Sequence, residues 1–472
     1  KLGVSQPAIS NWLKSIEEQF HTKLVIRSRH GLVLTQAGII YLEASQKMRD
    51  IRNQTYRDIR GIANEGSTVI TIAGTPNGGA ELFARIYHDL GTELPSLELK
   101  FVESYNRSSI NMVRQEKADL VLEIYRYQQK TTGAAKDNSL SLYLGIPFCP
   151  TRCLYCSFTS NQVKKPEIDR YLEALFHEIA FAAENIKEDG YEIESLYIGG
   201  GTPTTLDEAA LEAFLQEIQE HFDLSHLREF TVEAGRPDTI TEGKLRIMEH
   251  YGVDRISINP QTMKQETLKL IGRHHTVEQT VESFHMAREL GFDNINMDLI
   301  AGLPLDTPEK FRQTLKAIEK LSPESVTVHT LALKHAAWMM RDEEVRDNHR
   351  RGETARQMVE DAGRELTRQG YAPYYLYRQS RMAGNLENTG WSRGGKECLY
   401  NIITMDEIHT VLSCGAGGVT KLCDPFSTDI KRVFNFKYSY EYVSRFEEIL
   451  QRKKQIVTGY EEFLHRAGKI CL

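Results

Sequence analysis

The sequence predicts an α/β protein whose main body is a parallel sheet of six strand and helix units, a partial (β/α)6 barrel with a C-terminal α/β extension. A smaller, incomplete region of helix and hairpin precedes it. Three observations carry that reading. From Leu140 onward, short apolar runs alternate with stretches whose apolar residues recur at helical spacing. The first 66 residues hold ten Lys or Arg against six Asp or Glu, net +4 in a chain of net charge −7, so the remainder carries −11. Segments so different in charge are read as separate bodies. Between them, YQQKTTGAAKDNS at residues 127–139 is a polar linker.

A chain of 472 residues is long enough for two or more cores, and 40% hydrophobic content with a mean hydropathy of −0.43 fits globular protein. No apolar run reaches the roughly 18 residues of a membrane span. No charged segment followed by an apolar one opens the chain. A cytoplasmic location and no membrane partner are therefore expected. The first residue is Lys1 rather than Met, as in a fragment. Seven cysteines, an odd number and partly clustered, do not form the pattern of a secreted disulfide framework. Metal or redox chemistry is expected instead.

In the N-terminal region, VSQPAISNWLKSIEEQF (residues 4–20) reads as a helix with Ser5 as N-cap and Pro7 in the first turn, where a missing N–H costs nothing. Ile9, Leu13, Ile16 and Phe20 share one face. IRSRHGLVLT (residues 26–35) follows as two extended runs around His30-Gly31. These residues resemble the LysR-type transcriptional regulators, with a winged helix-turn-helix and linker helix over residues 1–66 and part of an effector-binding domain over 67–126. The resemblance implies that Ser5, Gln6, Ser10 and Asn11 face DNA, with Arg27 and Arg29 on phosphates. It covers only the start of the effector fold, so DNA is a partner only if this remnant folds.

The main body is placed at residues 140–340 and its extension at 341–472. Strands are expected at SLYLGIPF (141–148), SLYIGGG (195–201), EFTVEAG (229–235), RISINPQ (255–261), NINMDLIAG (294–302) and SVTVHTLA (325–332). Amphipathic helices separate them, as in Tyr171, Leu175, Ile179 and Ala182, or Phe311, Leu315 and Ile318. Barrels of this kind place their chemistry at the C-terminal ends of the strands. Strand one runs into Cys149, Cys153 and Cys156, a C-x3-C-x2-C spacing in a loop at that end. A closed structural zinc site wants four ligands, and no fourth Cys or His stands at ligand spacing. A 4Fe-4S cluster held by three thiolates leaves one iron open to an exogenous ligand. Strand two ends in Gly199-Gly200-Gly201-Thr202-Pro203, where glycines let backbone approach a partner closely. Strands three, four and five end in Glu233, Gln261 and Asp298, hydrogen-bonding groups suited to a ribose.

The cysteine spacing after a first strand resembles the radical S-adenosylmethionine (SAM) superfamily. The wording YLGIPFCPTRCLYCSF, GGGTPT, TVEAGRPD, NPQTM, IGRHH and MDLIAGLPLDTPE resembles its oxygen-independent coproporphyrinogen III oxidase group, HemN-like. GKECLYN and YYLYRQSRMAGNLENTGW look most like the HemZ branch, which extends the match to about residue 460. The resemblance implies that Tyr143, Tyr155, Gly200, Gly201, Thr202, Glu233, Gln261, Arg273, Asp298 and Ala332 contact SAM, with Arg273 balancing its carboxylate. It implies a reaction in which the cluster, supplied by an electron donor, reduces SAM to a radical that takes hydrogen from a substrate propionate. Loss of carbon dioxide leaves a vinyl group, so that coproporphyrinogen III becomes protoporphyrinogen IX. Arg378, Arg381 and Lys396 are candidate cations for such a tetracarboxylate porphyrinogen. Two departures stand out: the group has a His where this chain has Gly145, and a further Cys where it has Phe158. The alternatives are a heme-trafficking protein on the same fold and a DNA-binding regulator remnant fused to it.

Overall fold

The computed structural model describes residues 139–156, 161–188, 191–332, 348–377, 386–407, 409–424 and 429–466, with 13, 16–28, 31–41, 44–45, 68–74, 83, 87, 97–103, 112, 118 and 120–122 from the N-terminal region. The chain divides into two compact units, one of Lys1–Glu123 with Tyr460–Leu472 and one of Ile124–Gly459.

In the first unit, β1 (Val25–Ser28) and β2 (Gly31–Leu34) form an antiparallel hairpin in which Ser28 pairs with Gly31. This is the hairpin the basic His-Gly turn predicts. Glu17 fastens it, accepting from the Leu24 and Val25 amides at 2.9 and 3.1 Å. A separate parallel sheet sets β3 (Thr68–Gly74) between β4 (Leu97–Glu103) and β5 (Leu120–Leu122). Ser5, Gln6, Ser10, Asn11 and Arg29 lie outside the described residues. Arg27 has its backbone in β1, but its side chain is outside them too.

The second unit holds one eleven-stranded sheet. Its centre is β6 (Ser139–Ile146), β7 (Glu192–Gly200), β8 (Glu229–Val232), β9 (Arg255–Ser257), β10 (Ile295–Ala301) and β11 (Ser325–Thr330), all parallel and adjacent in chain order. Helices α1 (Lys165–Glu188), α2 (Glu208–His221), α3 (Glu242–His250), α4 (Gln265–Leu270), α5 (Val277–Glu289) and α6 (Pro308–Leu321) return the chain between them. Their starts are written in sequence: Asp207, Thr241, Thr276 and Thr307 each accept an amide of the first turn, and Pro308 follows the last cap. The apolar stripe of α6, Phe311, Leu315 and Ile318, is buried against the sheet, as is Tyr171, Leu175 and Ile179 of α1. The predicted strands are all present but shorter at their C-terminal ends. β9 shows why. After Ser257 the chain leaves the ladder, and Gln261 rejoins it in a left-handed conformation (φ 68°), its amide donating to the Asp298 carbonyl at 2.9 Å.

The extension comprises α7 (Asn348–Arg368), β12 (Ala372–Tyr377), β13 (Asn388–Ser392), α8 (Leu399–Asp406), β14 (Val411–Cys414), β15 (Val419–Cys423), β16 (Ile430–Phe434), α9 (Ser439–Ser444) and α10 (Phe446–Arg466). β13 pairs antiparallel with β11 and β14 pairs parallel with β6, so the sheet order is β12-β13-β11-β10-β9-β8-β7-β6-β14-β15-β16. Among the described residues the edges β12 and β16 do not pair, so the eleven strands form an open sheet rather than a closed barrel. Lys453 of α10 and Glu178 of α1, both fully buried, pair at 3.0 Å and tie the extension to the barrel. Among the described residues no helix is long and apolar enough to cross a membrane.

Candidate functional site

The loop after β6 carries the three cysteines, and backbone bonds pin its base. The Cys149 amide donates to the Asn161 carbonyl at 3.3 Å, and the Asn161 amide to Pro147 at 2.9 Å. Further along, the Cys156 amide closes a turn on the Cys153 carbonyl (3.1 Å), and the Leu154 amide reaches Ile271 beyond α4 (3.0 Å). Cys149, Cys153 and Cys156 are half-buried and none is in a disulfide.

The glycines of the second loop do a job seen directly in the backbone. Gly201 donates to the Ile146 carbonyl at 2.8 Å and Thr202 to Phe148 at 2.7 Å. A Cβ on Gly201 would stand 2.4 Å from the Phe148 carbonyl oxygen, and Gly200 holds φ +114°. The two loops are thus pressed together, with the Thr202 hydroxyl 3.4 Å from the Cys149 sulfur.

Two buried guanidiniums flank the cysteine loop. Arg273 donates to the Gly235 and Asn259 carbonyls at 3.2 and 2.7 Å and to the Tyr155 hydroxyl at 3.3 Å, while its Nε has no partner. Arg236, which sequence reasoning did not single out, forks onto Asp238 at 3.0 and 2.9 Å. Its Nη1 donates to Thr151 Oγ1 at 2.8 Å and points at the Cys153 sulfur, 3.9 Å away. The signal available was an Arg three residues after the strand-end Glu233 and two before an Asp.

Across the barrel mouth, Glu233 accepts from the Tyr197 hydroxyl at 2.6 Å. Burial pushes the Glu233 carboxyl up to about 7, the neighbouring Asp298 charge adding to this and the Tyr197 bond opposing it. Asp298 accepts from Asn296 at 2.7 Å and faces His329 Nε2 at 3.5 Å. Burial alone would raise its carboxyl, but His329, Asn296 and Thr327 together hold it below the usual range. Gln261 keeps an unpartnered, buried Oε1. Tyr143, Tyr197 and Tyr400 stack, with centroids 6.2, 6.0 and 4.4 Å apart. His329, Tyr377 (3.4 Å from His329 Nδ1) and Tyr400 were not legible as site residues, since they come from β11, β12 and α8. Ala332 lies just past β11.

The structure therefore brings Tyr143, Glu233 and Asp298 into one mouth, with the cysteine loop, Gly200, Gly201, Thr202, Tyr155 and Arg273 along its rim. Lys396 does not belong there. It lies at the N-terminal ends of β10 and β11, its ammonium 3.0 Å from Asp293 and its carbonyl accepting from Ser325. Arg378, Arg381 and Phe158 lie outside the described residues. Among the described residues no three His, Cys, Asp or Glu side chains converge as a finished metal cage. The donor set nonetheless fits a cluster and its ligand. Three thiols share one loop beside two cationic side chains, and orphaned polar atoms on Gln261 and Arg273 await a polar partner.

Residues 143–318 match the family model of the radical SAM superfamily, and residues 1–39 match that of the bacterial regulatory helix-turn-helix proteins of the lysR family. The chain is 43% identical to the oxygen-independent coproporphyrinogen-III oxidase-like protein HemZ of Bacillus subtilis over 348 residues, 72% of this chain and 69% of that protein. It is 36% identical to the heme chaperone HemW of Bacillus subtilis over 41% of this chain, and spans about half of HemW (51%). In fold it resembles coproporphyrinogen III oxidase (HemN) of Escherichia coli, with a TM-score of 0.54 and 24% identity over 68% of this chain and 71% of that one.

Proposed function

The chain belongs to the radical SAM superfamily, in the coproporphyrinogen-III oxidase-like family of HemZ, and we propose that it oxidatively decarboxylates propionates of coproporphyrinogen III to vinyl groups. The cofactors of this superfamily, a 4Fe-4S cluster and SAM, are those of this chain, and when bound they supply one-electron reduction and hydrogen-atom abstraction. Per propionate, one hydrogen atom, carbon dioxide and one further electron leave, the last to an external acceptor.

The observation that carries this reading is the convergence of the cysteine loop with Glu233, Gln261 and Asp298 at one end of a parallel sheet. Cys149, Cys153 and Cys156 would hold the cluster. Glu233 and Asp298 offer acceptors to ribose hydroxyls, and Gln261 offers its unpartnered carbonyl. The stacked Tyr143, Tyr197 and Tyr400 wall the interior and exclude water. The departure at Gly145 is not forced by the backbone: a Cβ there would meet nothing nearer than 3.4 Å.

Similarity to HemW supports a second reading, stoichiometric heme binding without turnover. Anaerobic incubation of reconstituted protein with SAM, a reductant and coproporphyrinogen III separates the two. Release of carbon dioxide with formation of vinyl porphyrinogen is expected. SAM cleavage without decarboxylation, together with tight heme binding, would instead establish the trafficking role.

A further inference from the structure

Below the layer that holds Glu233, the barrel interior contains polar groups that the mechanism above does not use. Tyr197 is registered with Thr231, and Thr231 with Arg255, across β7, β8 and β9. Registered residues of parallel strands face the same side, so these three form one transverse layer. Glu233 and Ser257 stand two residues further along β8 and β9, about 7 Å above it at the rise of a strand. From the extension, Tyr374 of β12 and Cys398, the residue before α8, lie within electrostatic reach of the same guanidinium.

This layer is left unsatisfied. Arg255 is 1% exposed, yet its Nε and Nη2 have no hydrogen-bond partner. The Thr231 hydroxyl, fully buried, has none either. The Tyr374 hydroxyl, near Asn401, makes no bond of acceptable geometry. Glu229, the nearest carboxylate along β8, does not quench Arg255 by contact. It is already bound by the Leu399 and Tyr400 amides at 2.6 and 3.2 Å and by the Cys398 thiol at 3.3 Å. A buried guanidinium without an acceptor is costly, and although the two hydroxyls could accept from it, neither does so, and neither carries the negative charge that would balance it. What all three lack is an acceptor with more than one oxygen.

We propose that Arg255, Thr231 and Tyr374 form a carboxylate subsite inside the barrel, which takes one propionate of the porphyrinogen. A carboxylate matches the guanidinium fork in charge and in geometry. The two hydroxyls complete its remaining lone pairs. The proposal rests on the porphyrinogen reading and names the recognition element that reading requires, now that Lys396 is placed at the opposite end of the sheet.

The test uses the full chain and two stable probes, coproporphyrin III and its tetramethyl ester, in which methyl groups cap and neutralise the carboxylates, and reads the change in acid-to-ester preference from wild type to variant. Fluorescence titration is expected to show that the wild type prefers the acid over the ester. In Arg255→Met that preference should fall by about 10-fold or more, Arg255→Lys should recover part of it, and SAM affinity should not change. Thr231→Val, nearly isosteric, should lower the preference by roughly 5-fold with the melting temperature kept, and it decides the matter if Arg255→Met does not fold. An acid-to-ester preference unchanged in Thr231→Val, or in a folded Arg255→Met, overturns the subsite. Wild-type protein that binds acid and ester equally overturns it too, whereas wild type that binds neither overturns the porphyrinogen reading itself.

Discussion

Glu233 and Asp298 are carboxylates on one barrel mouth whose surroundings drive them apart: burial lifts Glu233 to about 7, while His329 and Asn296 keep Asp298 ionised. A ribose hydroxyl donates best to an ionised carboxylate. SAM affinity is therefore expected to rise as pH increases through about 7, where Glu233 gives up its proton, and Glu233→Gln should flatten that profile. Calorimetric titration at pH 6 and pH 8 checks it, and an identical profile in the variant would remove Glu233 from the ligand's contacts. Asp298 supplies a pH-independent counterpart. Asp298→Ala leaves donors on Asn296 and His329 unmatched in a dry site, so SAM binding should weaken roughly 5- to 150-fold, the equivalent of about 1 to 3 kcal/mol, with iron content intact. Loss of iron together with SAM would mean a structural role instead. The cysteines give the complementary signature. Reconstituted protein is expected to hold about four irons and four sulfides per chain, and Ala at Cys149, Cys153 or Cys156 should abolish them while leaving the rest of the sheet folded. A cluster that survives triple replacement would place it elsewhere.

At the level of elements, β6, β7 and β14 are fastened at their N-terminal ends by a buried polar knot: His409 Nε2 meets Ser141 Oγ at 2.8 Å, its Nδ1 meets Ser139 and Glu194 at 3.3 and 3.5 Å, and Ser141 meets Ser195 at 2.6 Å. Burial first, and Arg228 nearby, push the His409 imidazole down to about 4, against the pull of Glu194. Below about 6.5 the unfolded chain takes up a proton that the folded one refuses, so this stability is intact above 6.5 and is lost as pH falls toward 4, by up to about 3 kcal/mol. Glu233 works with the opposite sign over part of that window, being lifted rather than lowered. Comparison with His409→Gln isolates the histidine. The urea midpoint of the wild type should drop more between pH 7.5 and pH 5 than that of the variant, and equal drops would mean that His409 is protonated in the folded state. This knot also shows which part of the molecule could be read from the sequence. β6 to β11 were legible because an apolar run is a local signal, and the cysteines and Glu233 that follow β6 and β8 came with them. Asp298, expected to end its strand, instead stands inside β10, paired with Thr327. His409 and Arg255 were not legible, because the partners that give a buried polar residue its meaning lie on other elements: Ser141 is 268 positions from His409. The same distance problem misplaced Lys396, whose position follows from where β13 returns to pair with β11.

Over the whole molecule, the question is whether the barrel needs the regulator-like region that precedes it. The hydrophobic core of the second unit is assembled from residues between Leu140 and Ile456, and its sheet begins at Ser139. Among the described residues every strand from β6 to β16 pairs only with strands of that unit, and none with a strand of the first. The first unit has its own hairpin and its own three-stranded sheet, and its first 66 residues carry net +4 against −11 for the rest of the chain. Two such bodies are expected to be separable. Protein lacking residues 1–123 should therefore keep its iron, its SAM affinity and its SAM cleavage, while a shift of the full chain on DNA, if present, should vanish with the deletion and weaken with salt. Tyr460–Leu472 groups with the first unit although α10 begins in the second, so a further truncation after Gly459 tests whether the end of that helix is needed once its partner region has gone. Soluble, iron-loaded protein in both truncations would establish the barrel with its extension as an autonomous enzyme unit. Insoluble, iron-free protein in the first would show that the regulator-like region is part of the barrel's structure and not an appendage.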